Sequence, residues 1–271
     1  MNIRLLVLDI DGTIAGESNQ VRDAVIRAIG AVQNEGIMVA LATGRMYSSA
    51  LRFYHTIGSR LPIIAYNGAW IQDPQTGKLL RHLPLPLDTA EELLNYLQKS
   101  EFSSSLGINL YIQDKLYVQE ITEKTKRYAS RSEIQPIEVE DLHQVISRQP
   151  TKLLALSSEP EVTKQLNKNL GQKYDPSKVH ITQSTKTFVE ATSPKANKGN
   201  AVRYLTEEIL GLTAENVMVI GDNFNDQEMI EYAGIGVVMG DGPQEVQNLA
   251  QWIAPEVEED GVVAAIKKFL L

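Results

Sequence analysis

Residues 3–13 read Ile-Arg-Leu-Leu-Val-Leu-Asp-Ile-Asp-Gly-Thr. The stretch Ile3–Leu8 is a largely apolar run of strand length, and turn chemistry follows at Asp11-Gly12. A run apolar on both faces suits a buried parallel strand. Val21, Ala24, Val25, Ala28, Ile29 and Val32 then recur at helical spacing, and Gly36 is a suitable stop. A second strand is expected over Ile37–Ala42, a helix over Ser48–Ile57 and a third strand over Pro62–Tyr66. This alternation predicts right-handed crossovers and a parallel sheet.

The same pattern returns near the C-terminus. It predicts a helix over Gly199–Leu210, a strand over Val217–Ile220, a helix over Asp226–Ala233 and a strand over Ile235–Met239. The middle of the chain differs. Helices are expected at Asp88–Lys99 and Glu159–Leu170, with short strands at Leu110–Gln113, Lys115–Gln119, Lys152–Leu156, Val179–Gln183 and Thr187–Ala191. Tight turns at Asp114 and around Ser184–Lys186 make two of these pairs antiparallel hairpins. The reading is an α/β, Rossmann-like parallel-sheet core over residues 1–82 and 191–271, interrupted by an α+β domain over residues 83–190.

Composition narrows the function. The 271 residues carry 26 basic and 34 acidic side chains, a net charge of −8, which argues against a general nucleic-acid binder. Residues 83–190 hold 13 basic and 15 acidic side chains, so most of the acidic excess lies in the core. Without cysteine there is no disulfide scaffold, thiolate zinc site, iron–sulfur cluster or cysteine nucleophile. No run reaches the roughly 18 apolar residues of a membrane span, and the opening run is too short for a signal peptide. The expectation is a soluble cytoplasmic protein, monomeric by default, with no nucleic-acid or membrane partner.

Three polar loops follow the apolar strands: Asp9–Thr13, Thr43-Gly44-Arg45 and Gly221–Asp226. Ligands of open α/β sheets bind at the carboxyl ends of strands, so these loops should converge. Any one of them alone is ordinary turn and N-cap chemistry. Together they bring Asp9, Asp11, Asp222 and Asp226 towards one edge. Crowded carboxylates need protons or a cation, and an oxygen-only donor set suits Mg²⁺.

DIDGT, ATGR, Lys198-Gly199 and GDNFND, in that order and spacing, resemble the four motifs of the haloacid dehalogenase superfamily of phosphohydrolases. The long gap between Thr43 and Lys198, YNGA at Tyr66–Ala69 and the ending EEDGVVAAIKKFL resemble its Cof-like subgroup with a type IIB cap. One departure is Asp241-Gly242, where that subgroup leads us to expect Asn-Ala.

The resemblance implies a Mg²⁺-dependent phosphatase acting on a small phosphorylated metabolite, such as a sugar phosphate or an ester like flavin mononucleotide or pyridoxal phosphate. Asp9 would be the nucleophile that becomes an aspartyl-phosphate, and Asp11 the general acid and base. Asp9, Asp11 (through its carbonyl), Asp222 and Asp226 would hold the metal. Thr43, Gly44, Arg45, Asn67, Gly68, Lys198 and Asn225 would face the phosphate or substrate, with Thr43 and Lys198 taking catalytic parts. The alternatives are a phosphomutase and a non-enzymatic binding module on the same fold.

Competing candidates are weaker. Lys195 is as visible as Lys198, and Arg45 could equally form a structural ion pair. His55, His82, His143 and His180 lack metal-ligand spacing. The run Glu256–Asp260 reads as a solvated loop, and Trp70 and Trp252 as packing residues.

Overall fold

A computed structural model of the protein describes residues 2–99 and 101–271, with 184 and 185 described by backbone only. The chain forms two compact units, one of Met1–Arg81 with Asn197–Leu271 and the other of His82–Ala196.

The first unit begins with β1 (Leu5–Leu8), α1 (Asp23–Asn34), β2 (Met38–Leu41), α2 (Tyr47–Thr56), β3 (Ile63–Ala65), β4 (Trp70–Gln72) and β5 (Leu79–His82). All four residues of β1 are buried, because parallel neighbours flank it on both edges and helices pack on the sheet. The helix α1 buries Val25, Ile29 and Val32, one face at i, i+4, i+7.

In the second unit the order is α3 (Leu87–Lys99), β6 (Gly107–Ile112), β7 (Lys115–Val118), α4 (Glu123–Ser132), β8 (Pro136–Glu138), α5 (His143–Ile146), β9 (Lys152–Leu156), α6 (Pro160–Lys173), β10 (His180–Thr185) and β11 (Phe188–Thr192). Its six-stranded sheet runs β10-β11-β9-β6-β7-β8. Every described pairing is antiparallel except β7 with β8. Leu110, Leu153, Ala155, Val189 and Ala191 form an apolar core with Leu93, Leu94 and Leu97 of α3 and Leu166 and Leu170 of α6. The alternate residues of the same strands, Asn109, Tyr111, Lys152 and Glu190, belong to the opposite face.

The chain then returns through α7 (Lys198–Arg203), a π-helical turn (Tyr204–Ile209), β12 (Val217–Gly221), α8 (Gln227–Tyr232), β13 (Ile235–Val238), α9 (Gln244–Gln247), β14 (Trp252–Ile253) and α10 (Gly261–Phe269). The parallel sheet of the first unit runs β14-β13-β12-β1-β2.

Several expectations change. The third expected strand, β3, belongs to a separate sheet, β3-β4-β5, and touches the parallel sheet through one bridge, Ala42 to Ile64. The boundary expected at 190/191 falls inside β11, whose ladder with β9 runs to Thr192, so the unit ends at Ala196. Glu123–Ser132 is a helix that apolar periodicity does not reveal: it buries only Thr125 and Ala129, and Thr122 caps it by accepting from the Thr125 amide. The acidic run is not simply solvated. Arg22 donates to the Glu258 carbonyl and pairs with Asp260 at 3.3 Å, tying this loop to the start of α1.

Candidate active site

Asp9 leaves β1 in the plane of the sheet, its amide still donating to Ile220 of β12 at 3.0 Å. The neighbouring strand β12 ends at Gly221, and Asp222 follows. β12 is the central strand and β1 pairs in parallel beside it, so their first polar residues meet at one edge. One carboxylate oxygen from each of Asp9, Asp222 and Asp226 lies within 4.8 Å of the others.

Lys198 enters the same cluster from α7. Asn197 caps that helix by accepting from the Asn200 amide at 2.6 Å, which makes Lys198 its first residue. Gly199 lets α7 press against α8: a Cβ there would lie 2.5 Å from Glu228 Cβ. The Lys198 ammonium then sits 2.8 Å from Asp9 Oδ1 and 2.5 Å from Asp226 Oδ1. Lys198 is fully buried and Lys195 is exposed, which separates two lysines the sequence leaves level.

Asp226 is fully buried, and both its oxygens are engaged. Oδ1 accepts from Lys198, and Oδ2 from the amides of Asp222 (2.9 Å) and Asn223 (3.1 Å). It therefore shapes the Asp222 loop as well as adding charge. Gly221 makes room for it, since a Cβ there would lie 2.6 Å from Asp226 Cγ. On the other side, Asp222 sits against Gly12, whose φ of +76° and lack of a Cβ permit the approach. Thr13 Oγ1 reaches Asp222 Oδ1 at 3.4 Å.

The electrostatics follow from burial. Desolvation raises the Asp9 carboxyl to about 7, with Lys198 opposing the rise and Asp226 and Asp11 adding to it. Asp222 is raised to about 9 by the same desolvation and by Asp9 and Asp226. Burial pulls the Lys198 ammonium down, but Asp226 and Asp9 outweigh it and hold it above its ordinary range. With all three carboxylates ionised, one ammonium would leave about two negative charges uncompensated, which together with burial accounts for the raised Asp9 and Asp222 values. An oxygen-only set with that excess fits a hard divalent cation.

Other loops complete the edge. Thr43 is buried after β2; its hydroxyl accepts from the Arg45 amide at 3.2 Å, and its carbonyl from the Asn67 amide at 2.9 Å. Tyr66, Asn67 and Gly68 all have positive φ (51°, 53° and 91°), a strained turn held by its neighbours. A Cβ at Gly68 would lie 2.5 Å from the Asn197 carbonyl, so glycine is required beside the Lys198 cap. Asn225 Nδ2 donates to Asn67 Oδ1 at 3.0 Å, and Gly44 lies against that oxygen. The structure thus brings together Asp9, Thr43, Gly44, Asn67, Gly68, Lys198, Asp222, Asn225 and Asp226.

Asp11 and Arg45 form a pair beside them. Arg45 Nε and Nη2 donate to Asp11 Oδ2 and Oδ1 at 2.8 and 2.6 Å. Arg45, for which the sequence leaves substrate contact and a structural ion pair open, is turned onto a carboxylate of its own chain. Sequence reading missed Asn19, whose Oδ1 accepts from the same Nη2 at 2.6 Å, and Phe53, whose ring lies 4.6 Å from the guanidinium. Asn19 stands in a polar loop with φ 57°, indistinguishable in sequence from any turn asparagine. At the Asp241-Gly242 departure, a Cβ on Gly242 would collide with the Asp222 carbonyl, so this local path needs the glycine.

The comparisons agree with this geometry. Residues 6–266 match the model of the haloacid dehalogenase-like hydrolases. YxeH of Bacillus subtilis (strain 168) is 31% identical over 99% of this chain and 98% of its own. The 5-amino-6-(5-phospho-D-ribitylamino)uracil phosphatase YitU of the same strain is 27% identical over 98% and 97%. The crystal structure of TM0651 from Thermotoga maritima superposes with a TM-score of 0.84 at 28% identity, covering 98% and 97% of the two chains. The chain belongs to the haloacid dehalogenase-like hydrolase family and is a phosphoric monoester hydrolase of that family.

Proposed function

We propose that the protein hydrolyses a small phosphorylated metabolite, with Mg²⁺, through an acyl phosphate on Asp9. The observation that carries this reading is the buried Lys198 ammonium, shared between Asp9 and Asp226 within a three-carboxylate cluster. Asp9, Asp222 and the Asp11 carbonyl would hold the ion, with Asp226 ordering the loop that presents Asp222. When bound, Mg²⁺ supplies charge neutralisation to the phosphoryl oxygens.

The remaining steps belong to the chain's own side chains. An Asp9 oxygen attacks phosphorus in line with the ester oxygen, whose bond breaks as Asp11 gives it a proton. Water then attacks phosphorus, Asp11 takes its proton, and the electron pair of the P–O bond returns to Asp9. Lys198 holds the attacking carboxylate and offsets the phosphoryl charge. Thr43 and the amides of its loop, with Asn67 and Asn225, offer donors to phosphoryl oxygens. Residues 82–196 form the unit from which selection of the leaving group is proposed, as the family layout implies.

The test is inorganic-phosphate release across a panel of sugar phosphates, flavin mononucleotide, pyridoxal phosphate and the ribitylamino-uracil phosphate of YitU. Stoichiometric phosphate release from a small ester is expected. Phosphate returned to a sugar would instead indicate a mutase. A phosphoprotein outcompeting every small ester would contradict the substrate class.

A further inference from the structure

The Asp11 side chain is 52% exposed, yet it is not free to rotate. Arg45, only 11% exposed, grips both its oxygens through Nε and Nη2. The arginine is itself fixed on several sides. Nη2 also donates to Asn19 Oδ1, the guanidinium lies over the Phe53 ring, and the Arg45 carbonyl accepts from the Tyr66 amide at 2.9 Å. Arg52 lies on Phe53 as well, 4.4 Å from the ring centroid, and donates to the Asn19 carbonyl at 3.1 Å. An anchored, planar fork thus aims one exposed carboxylate.

We propose that Arg45 is a positioning residue for Asp11, presenting its carboxylate to the water that hydrolyses the Asp9 acyl phosphate. This rests on the phosphatase reading above. Two-point pairing fixes the orientation of the carboxylate plane, which a single contact cannot. In the step concerned, the water oxygen bonds to phosphorus, its proton passes to Asp11, and the bond to Asp9 breaks with the electron pair returning to Asp9. Loss of the arginine would leave Asp11 present but unaimed, so this second half-reaction slows most.

p-Nitrophenyl phosphate isolates that half, because its phenolate departs without needing a proton. Wild type, Arg45→Ala, Arg45→Lys and Asn19→Ala are compared by stopped-flow and by acid-quenched phosphoenzyme, with thermal melts of each. For Arg45→Ala we expect kcat to fall on the order of 10²-fold and KM to fall with it, so that kcat/KM changes little. A burst approaching one p-nitrophenolate per enzyme should appear, with phosphoenzyme accumulating. Arg45→Lys should recover only part, since a point charge cannot replace the fork. Asn19→Ala should show the same burst with a smaller loss, and it carries the test if Arg45→Ala does not fold. A raised KM with unchanged kcat and no burst would overturn the proposal and make Arg45 a substrate contact. Unburst, wild-type kinetics in the folded variants would also overturn it. An inactive wild type would instead refute the phosphatase reading.

Discussion

Lys198 Nζ donates to Asp226 Oδ1 at 2.5 Å, and neither side chain exposes any surface. A lysine at the first position of a helix faces the unfavourable end of the helix dipole. Here two carboxylates compensate. Lys198→Met should therefore do more than stop turnover. It strands Asp9 and Asp226 as buried carboxylates, and breaking such a pair typically costs about 3–5 kcal/mol. Urea unfolding should show a loss of that order. A variant as stable as wild type would mean the ammonium is not the compensating charge.

The second unit carries a comparable pair. Lys152 Nζ lies 3.2 Å from Glu190 Oε1, with side chains 3% and 8% exposed. Burial pulls the Lys152 ammonium down, but Glu190 and its neighbours hold it above its ordinary range. Glu190 Oε2 is buried without a hydrogen-bond partner. A half-satisfied buried pair of this kind is weak support for stability but costly to break. Lys152→Met alone should destabilise by about 3 kcal/mol, and Lys152→Met with Glu190→Leu by markedly less. Urea unfolding of the double-mutant cycle measures both, and additive losses would contradict the coupling.

His82 gives a pH dependence. Half-burial pushes its imidazole below the ordinary 6.5, while one ring nitrogen meets Thr151 Oγ1 at 2.9 Å. The native state then binds fewer protons than the unfolded chain in this window. Its contribution is present above pH 6.5 and is lost as pH falls through the native pKa. A proton NMR titration should place the His82 midpoint below 6.5, and wild type should lose more stability than His82→Gln as pH falls from 8 to 5. A midpoint at or above 6.5 would contradict the assignment.

Much of this was legible in the sequence because the parallel strands are buried on both faces. β1, β2, β12 and β13 read as short apolar runs, and the first polar residues after β1, β2 and β12 line the candidate site. The cap-like unit was legible through its hairpins, where Gln113 and Asp114 adopt the positive φ of a tight turn. Other features had no local signal. α4 is nearly all polar, and β14 has only two residues. Lys198 and Lys195 differ by burial alone, a tertiary property. Arg45 was visible, but its partner was not, because Asn19 and Asp11 meet it across the fold rather than along the chain.

The most direct measurement is the initial rate of p-nitrophenyl phosphate hydrolysis for wild type and Asp9→Asn, each with Mg²⁺ and with EDTA. The carboxylate cluster predicts turnover in wild type that requires Mg²⁺ and falls to background in Asp9→Asn. Undiminished hydrolysis in Asp9→Asn, or a wild-type rate indifferent to EDTA, would contradict the assignment of Asp9 as a nucleophile working beside a bound cation.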